Sequence, residues 1–261
     1  MRPFLSHEHP IRMAHRGSRV LWPQNTMVAF QGAADLGFRY LETDVHISAD
    51  GVVILFHDDH LEDLTDGAGK VWDHDWNHLS RLDAAYWFDP AGGFPCRGTG
   101  VGIPRLADVV ESFPDALLNL DLKQPGIEEV VAAEVRRLGL EDRVLIGSFH
   151  DARIRRFRQV TGGRVATSAG PGETARALAA AVAGAAPGGA ADAYQVPLRA
   201  GPIRVAGRRF VEAAHRSGKQ VHVWAVDDPA AMHRLLDLGV DGIITDRPDL
   251  LTRVLEERRT T

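Results

Sequence analysis

Cysteine, lysine and long apolar runs are all scarce in this chain. Cys96 is the only cysteine among 261 residues, which excludes an intrachain disulfide and fits a reducing compartment. No apolar run approaches the length of a membrane-spanning helix, and residues 1–17 contain no apolar signal-peptide core. We therefore expect a cytoplasmic protein without a transmembrane segment.

The charge balance limits the partners of the protein. The net charge is -5, whereas a nucleic-acid-binding surface needs an excess of basic residues, so we expect no nucleic-acid partner. Of the 30 basic residues only Lys70, Lys123 and Lys219 are lysines, so a lysine within a strand is informative. The length suits one α/β domain, which we assign to residues 1–261, and it leaves a homo-oligomer open.

The stretch from 40 to 58 brings acids and a histidine together. Glu42 and Asp44 alternate along a predicted strand and therefore lie on one face. An Asp-Gly pair then predicts a hairpin turn, and the apolar run after it ends at His57. Folding the segment back places Asp44 roughly opposite His57. This pattern indicates a metal site beside an acid/base histidine; the alternative is a strand with solvated acids and a histidine that fills a gap.

The first predicted strand also ends in polar residues. Ile11–Ala14 is followed directly by His15, Arg16 and Gly17. Arginine offers a planar fork that suits phosphate, and glycine lets a ligand approach the backbone. A phosphate contact is one interpretation of this loop, and a purely structural Arg-Gly loop is the other.

The strand predicted at 116–123 carries polar residues at alternate positions. Asn119, Asp121 and Lys123 share one face, and leucines occupy the other. In a closed barrel the polar face points inward, where a ligand or a cation satisfies buried polar groups well. An internal pair of Asp121 and Lys123 without a chemical role is the alternative.

Strand and helix patterns alternate along the chain. Eight strands are predicted to begin near Ile11, Tyr40, Ala116, Arg143, Arg164, Ala193, Gln220 and Val240. Eight strand–helix units in a chain of this length predict an α/β fold, a (β/α)8 TIM barrel with function at the carboxyl ends of the strands. The stretch from about 47 to 104 is too long for a simple connection and is predicted to be an insertion after the second strand. Residues 1–10 are predicted to be a disordered tail.

Short motifs occur in order along nearly the whole chain, from about 11 to 248. They are AHRG (14–17), QNT (24–26), ETD (42–44), FHD (56–58), LTDGAG (64–69), NLDLK (119–123), SF (148–149), VWAV (223–226) and IITD (243–246). Together they resemble the glycerophosphodiester phosphodiesterases. Two histidine motifs with an ExD motif between them are the most specific part of the resemblance.

The resemblance implies chemical roles for the matching residues. His15 and His57 are similar to the general acid/base pair of that family. Arg16 and Lys123 are similar to its phosphate contacts, and Trp224 to the wall that contacts glycerol. The implied reaction is metal-dependent hydrolysis of small glycerophosphodiesters, such as glycerophosphocholine or glycerophosphoethanolamine, to glycerol 3-phosphate and an alcohol. Such a reaction belongs to glycerol and lipid metabolism.

The resemblance also implies a divalent cation. Glu42, Asp44 and Asp121 match the metal ligands of the family, and an all-oxygen set suits Mg²⁺ or Ca²⁺. The family usually has Glu where Asp121 and Gln24 stand, and Thr where Ala225 stands. Because Asp is one methylene shorter than Glu, Asp121 reaches less far towards a metal.

Two other functions are compatible with the same residues. One is a lysophospholipase D or sphingomyelinase D-like activity on lipids, which would need an apolar trough beside the site. The aromatic residues of the insertion, Trp72, Trp76, Trp87 and Phe88, leave such a trough possible. The other is a barrel that binds a phosphoester without turnover, which would be expected to lack an essential group.

Overall fold

Eight parallel strands form the core of the fold, as the sequence predicts. The computed structural model describes residues 2–260. The barrel strands are β1 (Ile11–His15), β2 (Tyr40–Ile47), β4 (Leu117–Leu122), β5 (Val144–Gly147), β6 (Ala166–Thr167), β7 (Ala193–Pro197), β10 (Gln220–Trp224) and β11 (Gly242–Thr245). Outside the barrel, β3 (Val53–Leu55) pairs antiparallel with β2, and β8 (Arg199–Ala200) forms a small hairpin with β9 (Ile203–Arg204).

The sheet order makes the barrel nearly closed. The strands follow one another as β6, β5, β4, β2, β1, β11, β10 and β7. The two ends meet where Ser168 forms a parallel bridge with Ala193. Nearby, the Asp192 amide donates a hydrogen bond of 2.9 Å to the Thr167 carbonyl. A barrel of this kind brings the carboxyl ends of all its strands to one mouth.

Helices cover the outside of the barrel. They are α1 (Met27–Asp35), α2 (Trp76–Leu79), α3 (Leu106–Ser112), α4 (Glu128–Arg137), α5 (Asp151–Thr161), α6 (Pro171–Val182), α7 (Arg208–Arg216), α8 (Pro229–Asp237) and α9 (Pro248–Arg259). Side chains cap several of them: the Thr26 hydroxyl accepts from the Ala29 amide, and the Asp228 carboxylate accepts from the Ala231 amide. Each such cap typically stabilises a helix by about 1 kcal/mol. Within residues 2–260, no helix combines the length and apolar character that crossing a bilayer requires.

Strand β4 shows how the barrel separates apolar from polar residues. Leu118, Leu120 and Leu122 are buried in the apolar layer between the strands and the helices. Asn119 and Asp121, which alternate with them, line the interior at the mouth of the barrel. The period of two in the sequence therefore sends one face to the core and the other to a cavity.

The amino-terminal segment closes the opposite end of the barrel, so the prediction of a disordered tail is wrong for its described part. Phe4 and Leu5 lie in the 3₁₀ helix Pro3–Leu5 and are buried against the lower barrel interior. The Tyr40 hydroxyl donates to the Phe4 carbonyl at 2.7 Å, and the Gln220 side chain donates to the Leu5 carbonyl at 2.8 Å. Burying the two apolar side chains stabilises the fold by roughly 3–6 kcal/mol. Met1, which the prediction also included, lies outside the described residues.

The long segment after β2 packs largely on itself. A separate small cluster consists of buried apolar residues of this segment: Ile54, Phe56, Leu61, Val71, Leu79 and Ile103. Short 3₁₀ helices at Leu61–Asp63 and Val71–Asp73 belong to the same segment. Its first strand, β3, lies beside β2 and delivers the following residue, Phe56, and then His57 to the mouth of the barrel.

Candidate active site

A cavity of about 660 Å³ opens at the carboxyl ends of the strands. Each site residue predicted from the sequence lines it: His15, Arg16, Glu42, Asp44, His57, Asp121, Lys123 and Trp224. These residues come from five regions of the chain that the barrel brings together. The spatial arrangement that the sequence analysis required is therefore present.

The β2–β3 hairpin places His57 one residue away from its expected partner. The strands pair with Val45 opposite Leu55, and the Phe56 amide donates to the Asp44 carbonyl at 3.0 Å. Asp44 therefore lies opposite Phe56, and His57 follows immediately. The expected proximity of acid and imidazole holds, but the exact register differs by one residue.

His15 is held through one ring nitrogen by a buried acid. Its Nδ1 lies 2.9 Å from Asp246 Oδ1, and its Nε2 lies 3.8 Å from Glu42 Oε2. Burial lowers the pKa of His15, but Glu42 and Asp246 together raise it by more, so the pKa is above its ordinary value. Asp246 is itself fixed by the Arg19 guanidinium at 2.8 Å. Because Nδ1 is engaged, Nε2 is the nitrogen that can exchange a proton with a ligand.

His57 has the same kind of support. Its Nδ1 lies 2.9 Å from Asp58 Oδ1. Burial raises the pKa of Asp58, but the hydrogen bond and charge of His57 lower it by more, so the Asp58 carboxyl is ionised at neutral pH. Two imidazoles on one cavity are thus each oriented by a neighbouring carboxylate, as acid/base catalysis requires.

Sequence reasoning missed the two acids that orient the histidines. Asp246 follows directly after the last strand, and Asp58 follows directly after His57. Their positions next to a strand end and next to a candidate catalytic residue were the available signals. The sequence could not reveal that the partner of Asp246 is His15, which lies 231 positions away in the chain.

Asp44 is the most strongly paired acid of the site. Its Oδ1 lies 2.9 Å from Lys123 Nζ, its Oδ2 lies 3.0 Å from Arg16 Nε, and the Asn25 amide donates to Oδ2 at 2.9 Å. Burial alone would raise the pKa of Asp44, but Lys123 and Arg16 lower it to about 2. Lys123 also contacts Asp121 Oδ2 at 2.7 Å. The two acids raise the pKa of Lys123 despite its burial, so Lys123 stays protonated.

Glu42 and Asn119, which line the same side of the cavity as Asp44, carry polar groups that their neighbours do not fully compensate. Burial, and then the charge of Asp44, raise the pKa of Glu42 above its ordinary value. Asn119 Oδ1 is buried without a hydrogen-bond partner, and Asn119 pairs with Glu42 in the β2–β4 register. A hard cation bound here would stabilise the ionised form of Glu42 and would give the unpaired oxygen of Asn119 a partner. The two oxygens therefore suit such a cation.

In this structure Glu42, Asp44 and Asp121 are not arranged to chelate a metal ion. Within residues 2–260, no three acid, histidine or cysteine side chains are close enough together to hold a metal ion. The Lys123 ammonium bonds both Asp44 and Asp121. The chemistry of the oxygens fits a divalent cation, and their ligand role remains a prediction.

The loop after β1 holds Arg16 in an unusual conformation. The φ of Arg16 is +54°, in the left-handed region. Its amide donates to Glu42 Oε2 at 3.1 Å, and its Nη1 donates to Gln24 Oε1 at 2.8 Å. Gln24 therefore positions Arg16. A strained backbone held by several contacts is common at sites that bind ligands.

The aromatic residues of the insertion do not supply an apolar side to the cavity. None of the described residues that line the cavity is Trp72, Trp76, Trp87 or Phe88. Trp87 packs instead with Tyr86 and beneath the Arg97 guanidinium. Among the tryptophans within residues 2–260, Trp224 alone lines the cavity, with its ring in edge-to-face contact with Phe149 at 5.5 Å.

Residues 15–250 match the sequence profile of the glycerophosphoryl diester phosphodiesterase family. The chain belongs to this family. A probable glycerophosphodiester phosphodiesterase 2 from Mycobacterium tuberculosis is 40% identical over 261 residues, which cover 98% of this chain and 94% of that protein. Membership makes the chain a phosphoric diester hydrolase.

Solved structures of other proteins share the barrel. A glycerophosphodiester phosphodiesterase from Agrobacterium tumefaciens superposes with a TM-score of 0.75 at 28% identity, over 93% of this chain and 98% of that one. A phosphodiesterase from Oleispira antarctica, solved with the product sn-glycerol-3-phosphate, has the same fold at 23% identity, with a TM-score of 0.76 over 95% and 97% of the two chains. The TIM-barrel fold of the glycerophosphoryl diester phosphodiesterase family is thus shown for this chain.

Proposed function

We propose that the protein hydrolyses glycerophosphodiesters, such as glycerophosphocholine or glycerophosphoethanolamine, to glycerol 3-phosphate and an alcohol, with a divalent cation. The observation that carries the proposal is a cavity on which two imidazoles, each anchored to a carboxylate, lie beside Arg16 and Lys123. The sn-glycerol-3-phosphate bound to the Oleispira antarctica phosphodiesterase supports the same product class.

Arg16 and Lys123 prepare the site for an anion. A phosphodiester carries a negative charge that repels nucleophiles, so its oxygens must be compensated before attack. Both cations now neutralise Asp44, and Lys123 also neutralises Asp121. An incoming phosphate competes with these acids for the same donors, and the guanidinium offers it two parallel hydrogen bonds.

His15 and His57 carry the proton transfers. One imidazole removes a proton from the nucleophile, and the other protonates the departing alkoxide. Asp246 and Asp58 engage Nδ1 of each ring, so that Nε2 takes part in both cases. Each step typically contributes 10²–10⁴-fold in rate. The nucleophile is either water or the 2-hydroxyl of the substrate's glycerol, which would give a cyclic phosphate that water then opens.

Glu42, Asp44 and Asp121 are the residues that would hold the cation, either Mg²⁺ or Ca²⁺. Such an ion supplies Lewis-acid polarisation of a phosphoryl oxygen. The protein brings three buried carboxyl groups to one wall, where burial, and then the charge of Asp44, raise the pKa of Glu42. We expect calorimetry to detect Mg²⁺ or Ca²⁺ binding to the wild type, and binding at least about tenfold weaker in Glu42→Gln, because one anionic ligand is lost.

Turnover of glycerophosphocholine tests the proposal directly. With Mg²⁺ or Ca²⁺ we expect ³¹P NMR to show glycerol 3-phosphate, and EDTA to abolish its formation. His15→Ala and His57→Ala should each lower kcat at least about a hundredfold without unfolding the protein, because each removes a proton-transfer group.

The matched control is His60→Ala. His60 is an exposed histidine three residues from His57 that does not line the cavity, so this variant should keep its activity. Full activity in folded His15→Ala or His57→Ala would refute the catalytic assignment. Absence of hydrolysis by the wild type with each cation would refute the proposed reaction.

A further inference from the structure

Gly147 leaves a small polar space in the wall of the cavity. It is the last residue of β5, lies opposite Asp121 in the β4–β5 register, and has no left-handed backbone that would require glycine. A Cβ at this position would meet three side-chain oxygens: Ser168 Oγ at 3.4 Å, and Asp121 Oδ1 and Gln195 Oε1 at 3.6 Å each. All four residues line the cavity. We call the space between these three oxygens the polar hollow.

Asp121 and Ser168 present oxygens to the hollow because their other polar atoms are engaged. Asp121 contacts Lys123 Nζ through Oδ2 at 2.7 Å, which leaves Oδ1 for the hollow. The Ser168 amide donates to the Ile146 carbonyl at 2.9 Å, and the Ser168 carbonyl accepts from the Arg158 guanidinium at 3.1 Å. The hydroxyl of Ser168 is the group that remains for a ligand.

A chain of hydrogen bonds sets the orientation of the Gln195 amide. It begins at the Leu5 carbonyl, which can only accept, so Gln220 donates to it from Nε2 at 2.8 Å. Gln220 Oε1 then accepts from His222 Nε2 at 3.0 Å. A ring with its proton on Nε2 accepts at Nδ1, where Gln195 Nε2 lies at 3.4 Å. Each orientation follows from the one before it, so Gln195 presents its carbonyl oxygen, an acceptor, to the hollow.

The hollow therefore suits a group that donates hydrogen bonds. A carboxylate oxygen and an amide carbonyl oxygen only accept, and a hydroxyl can do both. Asp121 and Ser168 are only 8% and 3% exposed, so a ligand group that enters must replace the hydrogen bonds that these oxygens make with water. A hydroxyl group does this. A quaternary ammonium has no hydrogen on its nitrogen, and Lys123 beside Asp121 repels any second cation.

The hollow lies next to the expected position of the phosphate. Lys123 is one of the two cations proposed to bind the phosphate, and it contacts the same carboxylate that faces the hollow with its other oxygen. A hydroxyl joined to the phosphate by a short carbon chain therefore reaches the hollow. Such hydroxyls are present in the headgroups of some phosphodiesters and absent from others.

We propose that the polar hollow around Gly147 binds a hydroxyl of the alcohol headgroup, so that polyol headgroups are preferred to headgroups without a hydrogen-bond donor. This inference rests on the proposed function and specifies the class of alcohol that the reaction releases. The hollow takes no part in the proton transfers, and Ser168 and Gln195 are residues that determine specificity.

Two substrates with the same carbon skeleton test the inference. They are the glycerophosphodiesters of propanol and of glycerol, whose headgroups are propyl and 2,3-dihydroxypropyl. We expect kcat/KM for the dihydroxypropyl compound to exceed that for the propyl compound at least about tenfold, because propyl leaves buried acceptors without a donor. In Gly147→Ala the added methyl fills the hollow, and its nearest neighbour at 3.4 Å allows it to fit without a clash. There the preference should fall to about threefold or less.

Ser168→Ala and Thr174→Val form a matched pair of variants. Ser168→Ala removes the hydroxyl of the hollow and should lower the preference at least about threefold. Thr174→Val removes a hydroxyl that lines the same cavity but is not among the atoms nearest to a Gly147 Cβ, so it should keep the preference of the wild type. An equal loss in Thr174→Val, or an unchanged preference in both Gly147→Ala and Ser168→Ala, would overturn the inference.

The same measurements distinguish the headgroup from the glycerol that both substrates share. If Gly147→Ala lowers kcat/KM equally for the propyl and dihydroxypropyl compounds, the hollow binds the shared glycerol and the headgroup assignment is overturned. A loss confined to the dihydroxypropyl compound supports it.

Binding separates this inference from the proposed function. Calorimetry with the His15→Ala/His57→Ala protein compares the affinities for the two compounds. At least about tenfold tighter binding of the dihydroxypropyl compound, lost when Gly147→Ala is added, supports the hollow even if the wild type hydrolyses neither compound. Equal affinities overturn it even if both compounds are hydrolysed.

Discussion

Asp246 decides which nitrogen of His15 faces the ligand. Its carboxylate is fully buried, accepts from Arg19 and lies 2.9 Å from His15 Nδ1. Burial raises the pKa of Asp246, but His15 and Arg19 lower it by more, so it remains an anion beside the imidazole. Asp246 touches His15 and not the ligand in the proposed reaction, so we expect it to act as a positioning residue.

Asp246→Asn is expected to lower kcat by about tenfold or more. Loss of the charge lowers the pKa of His15, so the limb of the pH profile that reports His15 moves to lower pH. Movement of the acidic limb identifies His15 as the base, and movement of the basic limb identifies it as the acid. Measuring kcat/KM against pH makes the comparison.

The matched control for this change is Asp237→Asn, whose carboxylate is exposed and pairs with Arg258. It should leave the pH profile unchanged. If neither limb moves in Asp246→Asn, or if one moves to higher pH, Asp246 does not act on His15 as the structure indicates.

At the scale of elements, the loop between β1 and α1 sets the position of Arg16. Gly17 has φ +79°, and a Cβ there would lie 2.6 Å from Ala29 Cβ and 2.7 Å from the Ala29 carbonyl carbon. The loop therefore lies directly on the first turns of α1. Glycine is required at this position both for the backbone conformation and for the close approach.

Gly17→Ala tests this packing against Gly37→Ala. Gly37 has nearly the same φ, +80°, but a Cβ there meets nothing within 4 Å. We expect Gly37→Ala to cost about 1–2 kcal/mol of unfolding free energy through backbone strain alone. Gly17→Ala should cost at least about 1–3 kcal/mol more, because backbone must move.

Urea denaturation of the two variants measures the difference. Gly17→Ala should also lower kcat/KM, since His15 and Arg16 directly precede it. Equal losses of stability in the two variants would show that the loop does not pack on α1 in this way.

At the scale of the whole molecule, the barrel interior contains a histidine without a catalytic role. His222 is fully buried; its Nε2 lies 3.0 Å from Gln220 Oε1, and its Nδ1 lies 3.4 Å from Gln195 Nε2. These partners suit a neutral ring that donates from Nε2 and accepts at Nδ1. Burial accordingly lowers the pKa of His222 from 6.5 to about 4.

His222 should make the barrel sensitive to mild acid. Because the unfolded chain binds the proton first, the stability that neutral His222 contributes is complete above about pH 6.5 and is lost as the pH falls towards 4. The loss is on the order of 3 kcal/mol. His222→Gln should flatten this part of the curve of unfolding free energy against pH, and exposed His60→Gln should not. An unchanged slope in His222→Gln would contradict the assignment.

The sequence predicts the barrel well because its strands alternate and its helices carry caps. It does not predict contacts between residues that are far apart in the chain, and it does not predict strands of only two residues. In the sequence Phe4 and Leu5 belong to a polar amino-terminal tail. Their position in the fold depends on contacts with Tyr40 and Gln220, which are distant in the chain. The β8–β9 hairpin consists of two-residue strands that leave no periodic pattern, so the hairpin is not predictable from the sequence.

The candidate catalytic residues could be selected from the sequence because they form local motifs, whereas the residues that support them could not. His15, Glu42 and His57 each stand at or next to a strand end in a recognisable string. The pairing of Lys123 with both Asp44 and Asp121, in contrast, follows only from the register of β2 with β4. That register places the two acids on neighbouring strands within reach of one ammonium.

We infer that one phosphate binds between His15 and His57 at the barrel mouth. A crystal structure with glycerol 3-phosphate and Mg²⁺ or Ca²⁺ tests it most directly. We expect phosphate oxygens within hydrogen-bond distance of Arg16 and Lys123, with Nε2 of each histidine facing the phosphorus-bound oxygens. A phosphate bound away from this cavity, or with either imidazole turned from it, would show that the two histidines do not act on one phosphate.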